Sequence, residues 1–160
     1  VDWVDYQIFN GSSLTGIIGH GSCVNVFRNA ANDFNYVDAA KMLSRHVGKN
    51  KVWVIHPYHW ENLLNFQSSL GQLVYVQNAN GAIVPMLFGY PVMQSQFLPA
   101  VGSEGDVCLV DLDKYLLGVN KEITIDASPH FKFTSDLTVY RVSMRLGGKP
   151  ILTAPITLAD

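Results

Sequence analysis

The spacing of hydrophobic residues changes along the chain, and its first part predicts one helix. Residues 1–9 alternate loosely between apolar and polar positions, which is the period of a strand. Across residues 32–47, apolar residues recur at the spacing of one helix face. Asp33 or Asn35 is placed to cap the start of this helix, and Gly48 is placed to end it.

Short apolar runs in the middle of the chain predict the strands of a sheet. These runs cover residues 51–55, 73–76 and 107–110, and a further apolar run, residues 83–88, leads into the stretch that follows. Between the first two, residues 58–66 carry apolar side chains at helical spacing, and Pro57 stands at the entrance of that predicted helix. Helices and strands therefore share this part of the chain.

Prolines and glycines punctuate residues 87–105, the most characteristic stretch of the sequence. The residue before a proline is biased toward extended backbone, so Tyr90 and Leu98 are predicted to be extended. Gly89 and Gly102 supply permissive backbone on either side. We interpret the stretch as a rigid strand–turn–strand connector.

The last third of the chain has the period of two that is typical of strands. Residues 122–126, 131–133 and 137–146 alternate between apolar and polar side chains. Residues 147–149, Gly-Gly-Lys, are predicted to turn the long strand into residues 150–153. The alternation predicts a hairpin with one buried face and one polar face that is solvated or covered by a partner.

Composition narrows the class of protein. The chain has 160 residues, of which 48% are hydrophobic and only 15% are charged, so it fits one globular domain with surface buried against partners. A net charge of -2 gives no basic field for nucleic acid, and no apolar run predicts a membrane span or a signal peptide. Because the sequence begins at Val1, a processed product, a fragment or a trimmed chain is expected.

Two cysteines lie far apart in the sequence. Cys23 and Cys108 both have apolar neighbours, so each is predicted to be a free thiol that packs as a small hydrophobic side chain. A disulfide between them cannot be predicted without geometry.

Candidate catalytic and metal-binding residues form no complete set. His56 and His59 flank Pro57 rather than taking the spacing of a metal-binding helix, and no third ligand accompanies them. His20 and Ser22 lie in a glycine-rich turn that lacks the last glycine of a nucleophile elbow. A small hydrolase or metalloenzyme built on these residues is an alternative function.

The remaining charged residues also predict no site. Asp111 and Asp113, with Asp106 nearby, lack the glycine and the terminal glutamate of a calcium loop, so a solvated turn is expected. His130 is isolated, and we expect it to be exposed or simply hydrogen-bonded.

Arg141 and Arg145 share one face of the last long strand. They either form its polar side or pair with carboxylates of a neighbouring subunit. The residues alone therefore predict no catalytic, cofactor-binding or metal site.

Several segments resemble, in order, those of one family. The segments are residues 3–12 and 15–18, 38–46, 52–57, 60–71, 87–92 and 98–100, 105–115, and 131–148. Val52-Trp53-Val54-Ile55-His56-Pro57 is similar to the family's "Trp-Val-Met-Asn-Pro", and Leu87-Phe88-Gly89-Tyr90-Pro91-Val92 to its "Leu-Gly-Tyr-Pro-Val". Together they resemble the C-terminal portion of a tailed-phage major capsid protein of the Hong Kong 97 type.

This resemblance implies an α+β fold of the Hong Kong 97 type. Residues 1–118 would form most of an axial domain, a mixed sheet flanked by helices, and residues 119–160 the β-strands of a peripheral domain. The family's N-terminal arm, extended loop and spine helix would precede Val1. Some members cross-link through an asparagine, but Ser135 and Asp136 stand at that place, so cross-linking is not expected.

The function implied by the resemblance is structural. The chain would be a head-shell subunit without enzymatic activity or cofactor, assembling into pentamers and hexamers of an icosahedral shell around DNA. It would form in the host cytoplasm and reside in the virion, with scaffold, portal and decoration proteins as partners and no specific nucleic acid or membrane. A cargo-enclosing, encapsulin-like nanocompartment shell is the alternative with the same fold.

Overall fold

Two separate sheets and three α-helices make up the described part of the chain. The computed structural model describes residues 2–11, 13–29, 33–64, 75–76 and 85–155. The elements are α1 (Asp2–Asn10), α2 (Tyr36–Arg45), β1 (Val52–Ile55), α3 (Trp60–Leu64), β2 (Tyr75–Val76), β3 (Met86–Leu87), β4 (Tyr90–Gln94), β5 (Val107–Val110), β6 (Tyr115–Lys132) and β7 (Leu137–Pro150). Short 3-10 turns occupy Pro57–His59, Leu112–Lys114 and Phe133–Ser135. The α+β class predicted from the sequence is confirmed.

The first sheet is mixed and has the strand order β2-β3-β4-β1-β5. β1 runs parallel to β4, with Trp53 opposite Val92, and antiparallel to β5, with Val54 opposite Cys108. The strands predicted at residues 51–55 and 107–110 are confirmed. The strand predicted at 73–76 and the helix predicted at 58–66 lie partly outside the described residues, within which Tyr75–Val76 form β2 and Trp60–Leu64 form α3. The apolar run at 83–88 also lies partly outside them, and Met86–Leu87 form β3.

Hydrophobic clusters cover both faces of this sheet because successive strand residues point to opposite sides. On one face, Trp53 and Ile55 pack with Phe34, Leu63 and Leu87, and the Trp53 indole Nε1 donates to the Leu87 carbonyl oxygen at 3.1 Å. On the other face, a second cluster gathers Phe9, Val54, Leu98 and Val110. The sheet is thus a central layer between α2 and α3 on one side and α1 on the other.

The first residues form a helix, so the prediction of strand-like alternation over residues 1–9 was wrong. Phe9 is buried against the sheet, and the carbonyl oxygens of Ile8 and Phe9 accept from the backbone N–H groups of Ile17 and Ile18 at 2.9 and 3.0 Å. These bonds satisfy carbonyls that a helix end leaves unpaired. Tertiary packing therefore outweighs the weak local pattern.

Helix α2 begins as predicted and ends earlier than predicted. Asn35 is its N-cap, and the Asn35 side chain accepts from the backbone N–H of Asp38 at 3.2 Å. His46 is already extended, with φ −89° and ψ 118°, so Gly48 is not the C-cap. Instead, the Gly48 N–H donates to Nδ1 of His46 at 2.9 Å.

The punctuated connector contains strand β4 between two turns. Tyr90 is extended, as predicted, at the start of β4, and Leu98 is buried. Gly89 and Gly102 have φ values of 79° and 94°, which residues with a side chain rarely adopt. The predicted permissive positions are therefore the places where the chain turns.

The second sheet is a two-stranded antiparallel ribbon of β6 and β7. The turn predicted at residues 147–149 is wrong, because Gly147 and Gly148 lie within β7 and pair with Gly118 and Leu117. The chain reverses instead at Phe133–Ser135, followed by Asp136 with φ 50°. Glycines permit a turn but do not require one, and here both glycines take part in the pairing of β6 with β7.

None of the described helices is long and apolar enough to cross a membrane.

Candidate functional site

One face of the β6–β7 ribbon is polar. Because β7 has no bulge between them, Arg141, Ser143 and Arg145 lie on the same face, opposite Asp126, Thr124 and Lys121. The Thr124 and Ser143 hydroxyl oxygens are 2.9 Å apart, a cross-strand hydrogen bond. Arg141 thus stands opposite a carboxylate, whereas Arg145 stands opposite another cation. These four residues therefore carry a net positive charge on this face.

The opposite face is apolar and open. We call it the apolar ribbon face; its residues are Val119, Ile125, Tyr140, Val142 and Met144. Ile125 and Val142 stand directly opposite each other and are 69% and 66% exposed. The predicted buried face is therefore not buried within the described chain. Contiguous exposed apolar surface of this kind is typical of an interaction site.

The base of the ribbon is tied to the turn after α1. The Thr15 N–H donates to the Gly148 carbonyl oxygen at 3.0 Å, and the Tyr115 hydroxyl donates to the Thr15 carbonyl oxygen at 2.9 Å. The Ile151 N–H closes the end of the ribbon on the Lys114 carbonyl oxygen at 2.9 Å. These bonds hold the base of the ribbon against the first part of the chain.

A buried ion-pair cluster lies beside the first sheet. The Asp106 carboxylate accepts from the Arg28 guanidinium, from Nε2 of His59 at 2.9 Å and from the Gly102 N–H at 2.8 Å. Nε2 of His59 must carry the proton, so Nδ1 is free to accept from the Asn62 side-chain amide at 3.3 Å. The cluster joins the segment of Arg28, the 3-10 turn of His59 and the β4–β5 loop to α3.

The electrostatics of this cluster favour the ionised carboxylate. Burial alone raises the pKa of Asp106, but the hydrogen bonds from His59, Arg28 and Gly102 and the charge of Arg28 outweigh it and hold the pKa below its usual value. The prediction of a solvated turn was therefore wrong for Asp106, which is 2% exposed. No motif could have revealed the cluster, because its members are far apart in the sequence.

The histidine pair predicted as a weak metal candidate is split between two roles. Nδ1 of His56 accepts from the Tyr58 N–H at 3.3 Å and caps a 3-10 turn, while His59 is fully buried against Asp106. Asp111 caps the next 3-10 turn by accepting from the Asp113 N–H at 3.2 Å. The described residues contain no group of three or more His, Cys, Asp or Glu arranged to hold a metal ion.

His20 and Ser22 do lie together. Nδ1 of His20 is 2.7 Å from the Ser22 hydroxyl and also accepts from the Ser22 N–H at 3.1 Å. The two residues belong to one tight turn, and within the described part of the chain no carboxylate orients the ring. The contact therefore closes a turn and does not complete a nucleophile, base and acid set.

The other candidates are dispersed. Cys23 and Cys108 are free, partly buried thiols. His130 is exposed on β6, as expected, and Ser135 and Asp136 lie at the tip of the ribbon. No amide side chain stands at either of those two tip positions.

Comparisons with known proteins agree on one family. The model of the phage capsid family matches residues 4–160. A comparison with curated protein sequences finds no match.

Solved structures similar to this chain are capsids. The capsid of a native GTA particle computed with C5 symmetry has a TM-score of 0.69 and 18% identity, covering 91% of this chain and 56% of that chain. The capsid of an empty GTA particle, also computed with C5 symmetry, gives 0.68 and 18%, covering 89% of this chain and 55% of that chain. The chain thus spans about half the length of these capsid chains, with which it shares the fold. Because the family model covers nearly all of its residues, the chain belongs to the phage capsid family.

Proposed function

We propose that this chain is the shell-forming C-terminal portion of a phage major capsid protein of the Hong Kong 97 type. The observation that carries the proposal is the family match over residues 4–160. The shared fold with capsids that were computed with C5 symmetry supports it. In this proposal copies of the subunit form pentamers and hexamers, and these close an icosahedral shell around DNA.

The proposed domains follow the two sheets. Residues 1–118 form most of the axial domain around the five-stranded sheet, and residues 119–160 contribute strands to the peripheral domain. The separation of the five-stranded sheet from the β6–β7 ribbon supports this division. Since the similar capsid chains are nearly twice as long, an N-terminal arm, an extended loop and a spine helix precede this chain in the proposal.

The ribbon is the proposed assembly surface. The apolar ribbon face is covered by protein in the assembled shell, because the exposed Ile125 and Val142 would otherwise remain in water. On the polar face, Arg141 and Arg145 meet carboxylates of a neighbouring subunit. Two faces with different chemistry allow one ribbon to make two kinds of contact.

The work of this protein is shape rather than catalysis. In the buried ion-pair cluster the Asp106 carboxylate accepts from Arg28, His59 and Gly102, and in the turn His20 and Ser22 bond to each other, so both arrangements have a structural role. Because each chain has a net charge of -2, the shell encloses DNA without binding a specific DNA sequence. Assembly takes place in the host cytoplasm with scaffold, portal and decoration proteins, and the product is the virion.

Electron microscopy of the purified product of the whole reading frame tests the proposal. We expect negative-stain images and sedimentation to reveal capsomers or closed shells. Nuclease-protected DNA inside the particles is expected for a phage head, whereas a co-purifying enzyme in place of DNA would indicate a nanocompartment. A strictly monomeric product at high concentration would contradict the proposal.

Two neighbouring residues on opposite ribbon faces provide a matched pair of variants. Val142→Asp places a charge on the apolar ribbon face, and we expect it to abolish shell formation because a buried unpaired charge is costly. Ser143→Asp places the same charge on the polar face, between Arg141 and Arg145 on the same strand, and shells should form. Equal assembly of both variants would show that the apolar face stays open.

A further inference from the structure

The two thiols of the chain approach the same place from different elements. Cys108 lies on the edge strand β5 and packs, as Ile17 and Ile18 do, against the buried cluster on the α1 side of the sheet. Cys23 lies in the segment after α1, and its Sγ donates to the carbonyl oxygen of Ile17 at 3.0 Å. Cys23 is thus bonded to Ile17, and Cys108 packs against the same hydrophobic cluster as Ile17.

The segments that hold the two thiols are in contact. Sγ of Cys108 donates to the Gly105 carbonyl oxygen at 3.3 Å, and a methyl group added at Gly105 would lie only 2.8 Å from Cγ2 of Ile18. The carbonyls that hold the two sulfurs thus belong to segments that touch. Cys23 and Cys108 also line the same cavity of about 1060 Å³.

Electrostatics agree with this proximity. Burial, with smaller contributions from the nearby Cys23 and Asp106, raises the pKa of Cys108 to about 12. Burial also raises the pKa of Cys23. Charge on one sulfur affects the other only across a short distance, and both thiols are protonated at neutral pH.

We propose that Cys23 and Cys108 are a redox-sensitive pair that forms an intramolecular disulfide when the protein leaves a reducing cytosol. The bond joins the segment after α1 to the edge strand β5. It closes a long loop of the chain, so it restricts the unfolded state and stabilises the native one. The inference concerns the chain itself and does not depend on shell assembly.

The reaction needs a small-molecule disulfide such as oxidised glutathione. The Cys23 thiolate attacks one sulfur of that disulfide and releases one small thiol, which leaves a mixed disulfide on Cys23. The Cys108 thiolate then attacks the Cys23 sulfur and releases the second small thiol. Two protein thiols are oxidised, one small disulfide is reduced to two thiols, and the two protons of the protein thiols go to the released thiolates.

The raised pKa values of the two thiols determine when the disulfide forms. Only thiolates attack, so exchange is slow at neutral pH and its rate should rise about tenfold per pH unit while both thiols stay mostly protonated. A cytosolic thiol pool keeps the pair reduced during synthesis, and slow oxidation follows in an oxidising medium. The bond is thus a late addition to an already folded protein.

Mass spectrometry of the native protein after incubation with excess oxidised glutathione tests the pair. We expect the loss of two hydrogens, one peptide cross-link between Cys23 and Cys108, and a melting temperature several degrees higher that dithiothreitol reverses. Cys23→Ser and Cys108→Ser should each lack the cross-link and the rise in melting temperature.

Three outcomes would overturn the inference. The first is that both thiols stay free in the native protein under conditions that oxidise the urea-unfolded chain. The second is a stable mixed disulfide on Cys23 of the wild type that Cys108 does not displace. The third is a cross-link between two chains instead of within one, which non-reducing gels would reveal as a dimer. Because every readout works on soluble protein as well as on particles, failure of assembly would leave this test intact.

Discussion

At the scale of single residues, the buried Asp106 carboxylate accepts from three separate donors. Its two oxygens receive one cation, one imidazole N–H and one backbone N–H from segments that are otherwise separate. A carboxylate in this position acts as a clamp, since both of its oxygens are needed to accept from all three donors. The clamp holds the loop that carries Arg28 on the sheet.

Removing this charge should destabilise the protein strongly. In Asp106→Asn, the new amide presents N–H groups toward donors, and the Arg28 guanidinium loses its counter-charge, so we expect a loss of about 3 kcal/mol. Asp113→Asn is the control, because Asp113 is exposed and its amide oxygen still accepts from Asn50; its cost should be below about 0.5 kcal/mol. Urea unfolding monitored by tryptophan fluorescence measures both, and equal midpoints would refute the clamp.

Stability should fall with acid in two separate windows. Burial and Lys51 lower the pKa of His46 below its usual 6.5 despite Asp111, so His46 contributes above that pH and its contribution is lost as pH falls through the folded value. The pKa of Asp106 lies below its usual 3.8, so its contribution is lost only as pH falls below that value. Both groups therefore weaken the protein on acidification, at different pH.

Unfolding curves measured from pH 8 downward separate the two groups. His46→Gln should flatten the decline that begins near pH 6.5, and Asp106→Asn should flatten the one that begins near 3.8. If Asp106→Asn keeps the acid decline of the wild type, the assignment to Asp106 is wrong.

Whether the sequence could predict the role of a residue depends on how far along the chain its partner lies. The cap at Asn35 was predictable, because its partner Asp38 is three positions away. The clamp at Asp106 was not, because Arg28 and His59 reach it only after the sheet, α3 and the loops have formed. The same limit hid the proximity of Cys23 and Cys108.

At the scale of elements, the base of the ribbon depends on one close approach. A methyl group at Gly148 would lie 2.8 Å from the Tyr115 hydroxyl oxygen and 2.9 Å from Cε1 of that ring. The same hydroxyl donates to the Thr15 carbonyl oxygen and links the ribbon to the turn after α1. Gly148 therefore makes room for the side chain that anchors the ribbon.

Two adjacent glycines allow a controlled test of this anchor. Gly148→Ala should push the Tyr115 ring aside, break its hydrogen bond to Thr15 and cost about 1 kcal/mol. Gly147→Ala should cost less than about 0.5 kcal/mol, because a methyl group there would have no atom within 4 Å. Thermal unfolding measures the cost. Faster amide hydrogen exchange at Thr15 in Gly148→Ala, but not in Gly147→Ala, would show that the loss of stability arises at this anchor. Identical behaviour of the two variants would contradict the anchor.

Element identity was predictable where a pattern was strong and local. The apolar runs that became β1 and β5 were found, and so was α2. Helix α1 was missed because its alternation gave way to packing of Phe9 against the sheet. The ribbon turn was misplaced because Gly147 and Gly148 suggested a reversal that Asp136 provides.

At the scale of the whole molecule, the ribbon is the part that the described chain leaves unfinished. The first sheet has hydrophobic clusters on both faces, whereas the ribbon has one polar and one apolar face and both are exposed. Alternation along β6 and β7 was readable from the sequence. What would cover the apolar face was not, because in the proposed shell it belongs to other parts of the protein or to other copies.

The central claim is that this chain builds a shell in which the apolar ribbon face is covered. The most direct measurement is a cryo-electron microscopy density of the particles formed by the product of the whole reading frame. We expect closed symmetric particles in which protein density lies against Val119, Ile125, Tyr140, Val142 and Met144. Particles in which these five side chains face solvent, or a product that forms no particles, would contradict it.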